Sequence, residues 1–400
     1  MGINCFLSSW RFAPYTGSPD INTLKMLMHI DMDCDAVQMK RTVNPQERCD
    51  RILDFPMKAR IKRHEIDPPA NMAAMNQRRH FVESCVDIYK ALRKQKKYDV
   101  LVSRSTANSS HDAAYRIKTE LDPLPWLAVV GDPIGSRHPY VKELHAHKDW
   151  YKDDERIEQV VFEHADMIIV PSRYQKQITC SGGYERYESK ITVLPHAFEP
   201  SFYPVPEAVK GRKLSLVFTG TLYDNKKRSS KVFLDVLDRL FLIYPVYREK
   251  IVVRFYGEAD NHLKQVLAEK QYGALIEHYP TVDYLASLRA IKNADVLLLW
   301  DGNFTIEEDG VDYLPFLPGK LLDYLGARNT LFAMTPEAGA TADILNDVGI
   351  PHVTGLDLDR AALHLKRCID GQVKADWAKS LPYSAQSVGR QFEGFIRRYL

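Results

Sequence analysis

Two periods of apolar residues alternate along this chain. Short, continuous apolar runs recur at Ile3 to Ser8, Ala36 to Met39, Tyr98 to Ser103, Trp126 to Val130, Met167 to Val170 and Ile191 to Leu194. They return in the second half as LSLVFTG, IVVRFYG, Leu275 to Tyr279, Val296 to Trp300 and Leu331 to Met334. Runs of this length suit strands buried on both faces of a parallel sheet. Between them, apolar residues fall at helical spacing. These stretches are INTLKMLMHI after a cap at Ser18 or Asp20, Ala73 to Gln95, HDAAYRIKTEL, Arg156 to Ala165, Ser229 to Tyr244, the segment from Asn261, and Tyr284 to Asn293. A further helix opens at Pro318-Gly319 and ends at Gly326, and Asn44 to Ile66 reads as a basic, amphipathic helix before the break at Pro68-Pro69. Strand and helix in turn predict an α/β chain with parallel sheets.

The series is interrupted once. PHAFEPSFYPVPEAVKGRK is proline-rich, has no periodicity and reads as a linker. Since 400 residues exceed one ordinary core, the expectation is two doubly wound, Rossmann-like domains. The first covers 1–205, and the second covers 206–375. Their parallel sheets would face a central cleft, and an amphipathic helix in 376–400 would cross back to the first domain. No repeat or low-complexity segment is visible.

Composition narrows the function classes. A formal net charge of +2 offers no overall field for a phosphate backbone, so no nucleic-acid partner is expected. Three local basic runs, Lys58 to His64, Arg93 to Lys97 and Lys226 to Arg228, read as solvated faces. The first two read equally well as a surface for an anionic or lipid-linked acceptor at a membrane. The six cysteines form no CxxC pair and no metal-ligand cluster, as in a reduced, cytoplasmic chain. No signal peptide or spanning segment is recognisable, and Phe6 stands where a myristoylation pattern requires Ser or Thr. Membrane contact is therefore expected to be peripheral, at the inner face of the cell membrane.

Candidate chemistry gathers at loops that follow strands, the ligand edge of open α/β sheets. After Val296 to Trp300 comes an acidic loop, Asp301 to Leu317, and then PGKLLDY. Its first N–H groups lack intrahelical partners, Gly319 allows close approach, Lys320 adds a charge, and a diphosphate fits there. Asp323, one turn on, suits a pair of ribose hydroxyls. An ordinary helix with solvated Lys and Asp is the plainer alternative. FTGTLYDNKKRSS places Gly220 at a strand end and Lys226, Lys227 and Arg228 before a helix, and FYGEAD places Gly257 at another. In the first half, Gly17 in the first strand-to-helix loop is a candidate for close approach to substrate. Asp132 and His138 are the polar groups of GDPIGSRHPY. Plain turn and loop roles remain open for all three.

With these motifs in this order, the chain resembles the GT-B glycosyltransferases, most closely the retaining glycosyltransferase family 4. The resemblance covers most of the chain. It is carried by FTGTLYDNKK, ADVLLLW and PGKLLDYLGARNTLFAM in the second half, and by WLAVVGDP, ADMIIVPS and ITVLPHAF in the first. It implies transfer of a sugar from a nucleotide-diphosphate sugar to a glycan, lipid-linked or other hydroxyl acceptor, with retention of configuration, in polysaccharide or glycoconjugate biosynthesis. It implies that Lys226 and the helix start, Pro318 through Gly319 and Lys320 to Leu321, hold the donor diphosphate beside Gly220. Asp323 would bind the ribose, and Gly257 with the turn at Thr281 and Val282 would flank the base. Asp132, Lys226 and Lys320 become the catalytic candidates and His138 an acceptor contact. The chain also departs from the family pattern. Thr221 replaces the usual phosphate-binding Arg, with Lys227 or Arg228 as a substitute, and Asp132 stands near the place of the first-domain His. Pro315 stands where the first Glu of the paired motif belongs, which leaves Glu307, Glu308, Asp309 or Asp312 to contact the sugar. Because Lys226 and Lys320 would neutralise the leaving diphosphate, neither metal nor cofactor is expected. The rival readings are a nucleotide-sugar 2-epimerase and a non-catalytic GT-B subunit.

Overall fold

The computed structural model describes residues 2–69, 73–134, 151–181, 183–207, 212–224, 228–301, 316–355 and 357–400. The chain divides into two compact units. Unit 1 comprises Met1–Asn44, Arg48–Ala197 and Ala385–Leu400, and unit 2 comprises Pro45–Glu47 and Phe198–Ser384.

Unit 1 is built on a parallel, seven-stranded sheet in the order β3-β2-β1-β4-β5-β6-β7. The strands are β1 (Ile3–Ser9), β2 (Met32–Met39), β3 (Arg60–Ile66), β4 (Val100–Arg104), β5 (Trp126–Val129), β6 (Met167–Val170) and β7 (Ile191–Val193). The central strands β4, β5 and β6 are buried along their whole length, as their unbroken apolar runs require. Helices α1 (Ser18–Leu27), α2 (Ala74–Leu92), α3 (Ser109–Arg116), α4 (Tyr151–His164) and α5 (Arg173–Cys180) connect them. The capping residue of α1 is Gly17, so the helix begins earlier than a cap at Ser18 or Asp20 would place it.

The expected helix over Asn44 to Ile66 does not form. That stretch holds two short 3-10 turns, Pro45–Glu47 and Asp50–Leu53, followed by the edge strand β3. RIKRHEI exposes most of its polar residues because only β2 pairs with it, and charge on such an edge deters pairing with other chains. Three basic side chains of the Lys58 to His64 and Arg93 to Lys97 runs have acidic partners. Arg60 reaches Asp31 and Asp33, Lys96 reaches Asp35, and Arg93 reaches Asp122.

Unit 2 carries a parallel, five-stranded sheet in the order β10-β9-β8-β11-β12. Its strands are β8 (Leu214–Thr219), β9 (Ile251–Tyr256), β10 (Ile276–Tyr279), β11 (Val296–Trp300) and β12 (Thr330–Met334). Its longer helices are α6 (Ser230–Ile243), α7 (Asn261–Ala268), α8 (Tyr284–Lys292), α9 (Gly319–Ala327), α10 (Ala340–Val348) and α11 (Leu358–Ile369). The last helix, α12 (Ala385–Arg397), belongs to unit 1. It buries Val388, Phe392 and Ile396 at helical spacing and packs on α1, with Gly389 close to the Met26 carbonyl.

Behind the carboxyl edge of the second sheet, the Trp300 ring stacks on Phe218 with centroids 4.4 Å apart and on Phe233 at 5.5 Å. Its Nε1–H donates to the Ser229 carbonyl at 3.1 Å. Asp260 ties two helix starts together. Its carboxylate accepts from Ser229 Oγ at 2.9 Å, Ser230 N at 2.6 Å, Ser230 Oγ at 2.7 Å and Leu263 N at 2.9 Å. The N-terminal ends of α6 and α7 therefore both face an internal anion. Asp260→Ala strips this bridge and leaves buried donors behind. It should lower unfolding free energy by about 2–4 kcal/mol, read as a fall in the urea midpoint without a change in slope.

Candidate functional site

The carboxyl ends of β8 and β9 meet at two glycines. Gly220 and Gly257 take φ of 113° and 125°, which L side chains rarely adopt. A Cβ on Gly257 would lie 2.5 Å from the Gly220 carbonyl oxygen. Gly220 N–H donates to Tyr256 O at 2.8 Å and Gly257 N–H to Tyr279 O at 3.0 Å, so the ladder runs to the last residue of each strand.

Helix α9 starts against this edge. Pro318 is its capping residue and provides no side-chain cap, in contrast to the Ser or Asp side chains that cap α6, α7, α8 and α11. Lys320 bends back over the end of β8. Its Nζ lies 3.7 Å from the Phe218 ring centroid and 3.0 Å from where a Gly220 Cβ would stand. The helix is pinned there by Tyr324, whose hydroxyl accepts the Thr219 N–H at 3.0 Å and lies 3.2 Å from Thr219 Oγ1. Gly326 does not end the helix. α9 continues to Ala327 and turns at Arg328 (φ 60°), while Gly326 makes room for the Tyr203 ring, whose oxygen would be 2.3 Å from a Cβ.

The electrostatics at this edge are mutually dependent. Burial, with Arg228 nearby, holds the Lys320 ammonium well below its ordinary pKa, and Asp301 opposes that shift. Asp301 follows β11 directly, is buried, and accepts from Thr341 Oγ1 in the first turn of α10. Burial raises its pKa, while Thr341, Arg228 and Lys320 resist. Asp323 is held on both sides, since its Oδ1 accepts from Tyr284 Oη at 2.7 Å and its carbonyl from Tyr203 Oη at 2.7 Å. The described groups suit a diphosphate. Two cations, a helix start with no side-chain cap and two side-chain-free strand ends lie together, and a carboxylate stands one turn further along.

The remaining expected positions fall in different surroundings. Leu321 is fully buried and its N–H donates to Pro318 O at 3.0 Å, so its side chain belongs to the core. Gly319 and Thr221 are half-buried, as is Val282, and the Thr281 hydroxyl donates to Glu258 at 3.3 Å. In unit 1, the space above Gly17 is filled by an ion pair, with Arg11 Nη2 at 2.2 Å and Asp20 Oδ2 at 2.5 Å from a Cβ placed there. Asp20 is buried and paired with Arg11 at 3.3 Å and Arg41 at 3.4 Å. Its burial nonetheless pushes its carboxyl up. Asp132 is exposed just beyond β5. His138, Lys226 and Lys227 lie outside the described residues, as do Glu307, Glu308, Asp309, Asp312 and Pro315.

Sequence reasoning missed Asp301, Tyr203 and Tyr284. Asp301 had a usable signal, an acid closing the VLLLW run. The tyrosines had none, because they reach Asp323 from 120 and 39 positions away.

No family model matches the chain, and no curated protein does. Solved structures do. Trehalose-6-phosphate synthase OtsA aligns with a TM-score of 0.70 at 11% identity, covering 100% of this chain and 99% of that one. Sucrose-phosphate synthase from Thermosynechococcus elongatus aligns at 0.67 with 12% identity, covering 100% and 99%. A protein from Listeria monocytogenes assigned as a UDP-N-acetylglucosamine 2-epimerase aligns at 0.63 with 10% identity, covering 100% and 97%. Two parallel-sheet α/β units and full-length coverage show that this chain has the GT-B fold of glycosyltransferases.

Proposed function

We propose that the chain is a glycosyltransferase whose unit 2 binds a nucleotide-diphosphate sugar and whose unit 1 binds the acceptor. The start of α9 carries the reading. No side chain caps it, Lys320 is folded over Gly220, and Arg228 stands beside it. In the reaction, the bond from the anomeric carbon to the diphosphate oxygen breaks and a bond to the acceptor oxygen forms. The acceptor proton passes to the departing phosphate oxygen on the same face, which retains configuration. Negative charge grows on the leaving group, where the N–H groups of α9, Lys320 and Lys226 stabilise it electrostatically without a metal. Asp323 takes the ribose, and Thr281 and Val282 lie by the base. Asp132 is the candidate for contact with the reacting sugar and His138 for contact with the acceptor.

The acceptor is a glycan, lipid-linked or other hydroxyl compound in polysaccharide or glycoconjugate synthesis on the cytoplasmic side. Among the described residues no helix is long and apolar enough to cross a membrane, so contact with a lipid-linked acceptor would be peripheral. The pairing of Arg60, Arg93 and Lys96 with carboxylates weakens the attraction of that surface for anionic lipid.

The Listeria neighbour favours a second reading, epimerisation of the nucleotide sugar itself. Donor incubated alone and examined for an epimer separates the two, because a transferase leaves the sugar unchanged without acceptor.

A thermal-shift and calorimetric screen of UDP, GDP, ADP, CMP and dTDP, free and sugar-linked, should show selective stabilisation by one nucleotide. No response to any would leave the non-catalytic subunit as the better reading. Lys320→Ala and Lys226→Ala should each weaken the selected nucleotide diphosphate by about 1–3 kcal/mol, and unchanged affinity in both removes the phosphate site.

A pH dependence follows from Lys320. Its pKa lies below 10.5 in the free protein, and a bound diphosphate raises it. Binding in the window between the free and bound values takes up a proton, and affinity falls as pH rises through it. Calorimetry in two buffers of different ionisation enthalpy should register the uptake, and Lys320→Ala should abolish it.

A further inference from the structure

We propose that the carboxyl edge of unit 1 binds an anionic group, a phosphoryl or carboxylate carried on the acceptor sugar, with Arg104 as its counter-ion. The word acceptor rests on the transferase reading above, whereas the anion site rests on unit 1 alone.

Arg104 is the last residue of β4 and only 4% exposed. Its guanidinium lies across the end of the neighbouring strand, with Nη1 2.6 Å and Nη2 3.0 Å from where a Cβ on Gly131 would stand. Its hydrogen bond is long, from Nη1 to Val129 O at 3.5 Å. Asp132 and Asp20 act on it through their fields, but among the described residues no carboxylate pairs with it. The other inward arginines of this unit are treated differently. Arg11 and Arg41 share Asp20, and Arg78 is paired with Asp153 and Asp154.

A guanidinium cannot relieve its burial by losing a proton at neutral pH. Burial brings Arg104 down only to about 10. Among the described residues, no acid lines its cavity. Its polar members are Arg104, Asn22, Thr23 and His196, set among apolar residues of β5, β6, α1 and α12. His196 is neutral as well, its pKa lowered to about 3 by burial and by the charges of Arg104 and Lys25. Among the described residues this buried, planar fork of donors has no carboxylate partner; it matches a carboxylate or phosphoryl group, and its charge sets it apart from a site for a neutral hydroxyl. Its place beyond the strand ends, one residue from Asp132, is the ligand edge of such a sheet.

The test is a thermal-shift titration of the full chain at fixed ionic strength with glucose, glucuronate and glucose 6-phosphate, which share a ring and differ at one carbon. At least one of the two anionic sugars should raise the melting temperature by about 5 °C and bind at least about tenfold tighter than glucose. A response to glucose 6-phosphate alone assigns a phosphoryl group, and a response to glucuronate alone assigns a carboxylate. Arg104→Met should melt no lower than the wild type without ligand, because it removes an unpaired buried charge, and should lose the anion response. Arg104→Lys, which keeps the charge, should retain part of it. Equal binding of glucose and both anionic sugars overturns the proposal, as does an unchanged anion response in Arg104→Met. The nucleotide screen separates the two readings. A chain that takes the sugar anion but no nucleotide keeps this site and loses the transferase, and the reverse keeps the transferase and loses this site.

Discussion

At the ends of β8 and β9 the backbones approach so closely that a Cβ on Gly257 would collide with the Gly220 carbonyl. Both glycines take a φ that removes their neighbours from the path of the strand. The strand ends themselves carry no side chain where Lys320 reaches across them, and the Lys320 ammonium lies over the Phe218 ring. The start of α9 keeps a fixed height over this edge because Tyr324 is bonded to Thr219 and Tyr203 occupies the notch at Gly326. A phosphate group needs such fixed donors, since reorganising them on binding would consume the gain.

Four other helix starts of unit 2 are satisfied by side chains of the unit itself. Asp260 satisfies α6 and α7, Asp283 caps α8 and Asp357 caps α11. Each of those ends carries its own anion, so none competes with α9 for a ligand. The Trp300 stack behind the edge then fixes β11 and β8 against α6.

Much of this was legible in the sequence where one local rule decided the outcome. The unbroken runs of β4, β6 and β11 could only be buried strands, and PGK announced a helix start. Legibility failed where long-range neighbours decided. RIKRHEI has a helix-like share of charge, yet β2 lies alongside and makes it an edge strand. Gly326 reads as a stop until Tyr203 is placed beside it. α10 and α11 lie in a stretch for which the sequence offered no reading, and Thr341 of α10 is the group that meets Asp301. Lys320 is legible as a charge at a helix start, while the desolvation of its ammonium and the proximity of Arg228 depend on contacts no local pattern encodes.

A net charge of +2 over 400 residues conceals where the positive charge lies. Arg11 and Arg41 share one buried Asp20, Arg104 has no acid in its cavity, and Lys320 and Arg228 flank one buried Asp301. Among the described residues, each carboxyl edge thus places two or more cations beside a single buried acid where ligands of open sheets bind. Such imbalance costs stability in the free protein, because like charges held close together repel and lose part of their hydration. It persists where a ligand returns that hydration as direct bonds, so the same side chains that weaken the empty fold give it affinity for anions. Averaged over the chain, the charges nearly cancel and suggest no partner. Resolved at the strand ends, they suggest an anion at each unit.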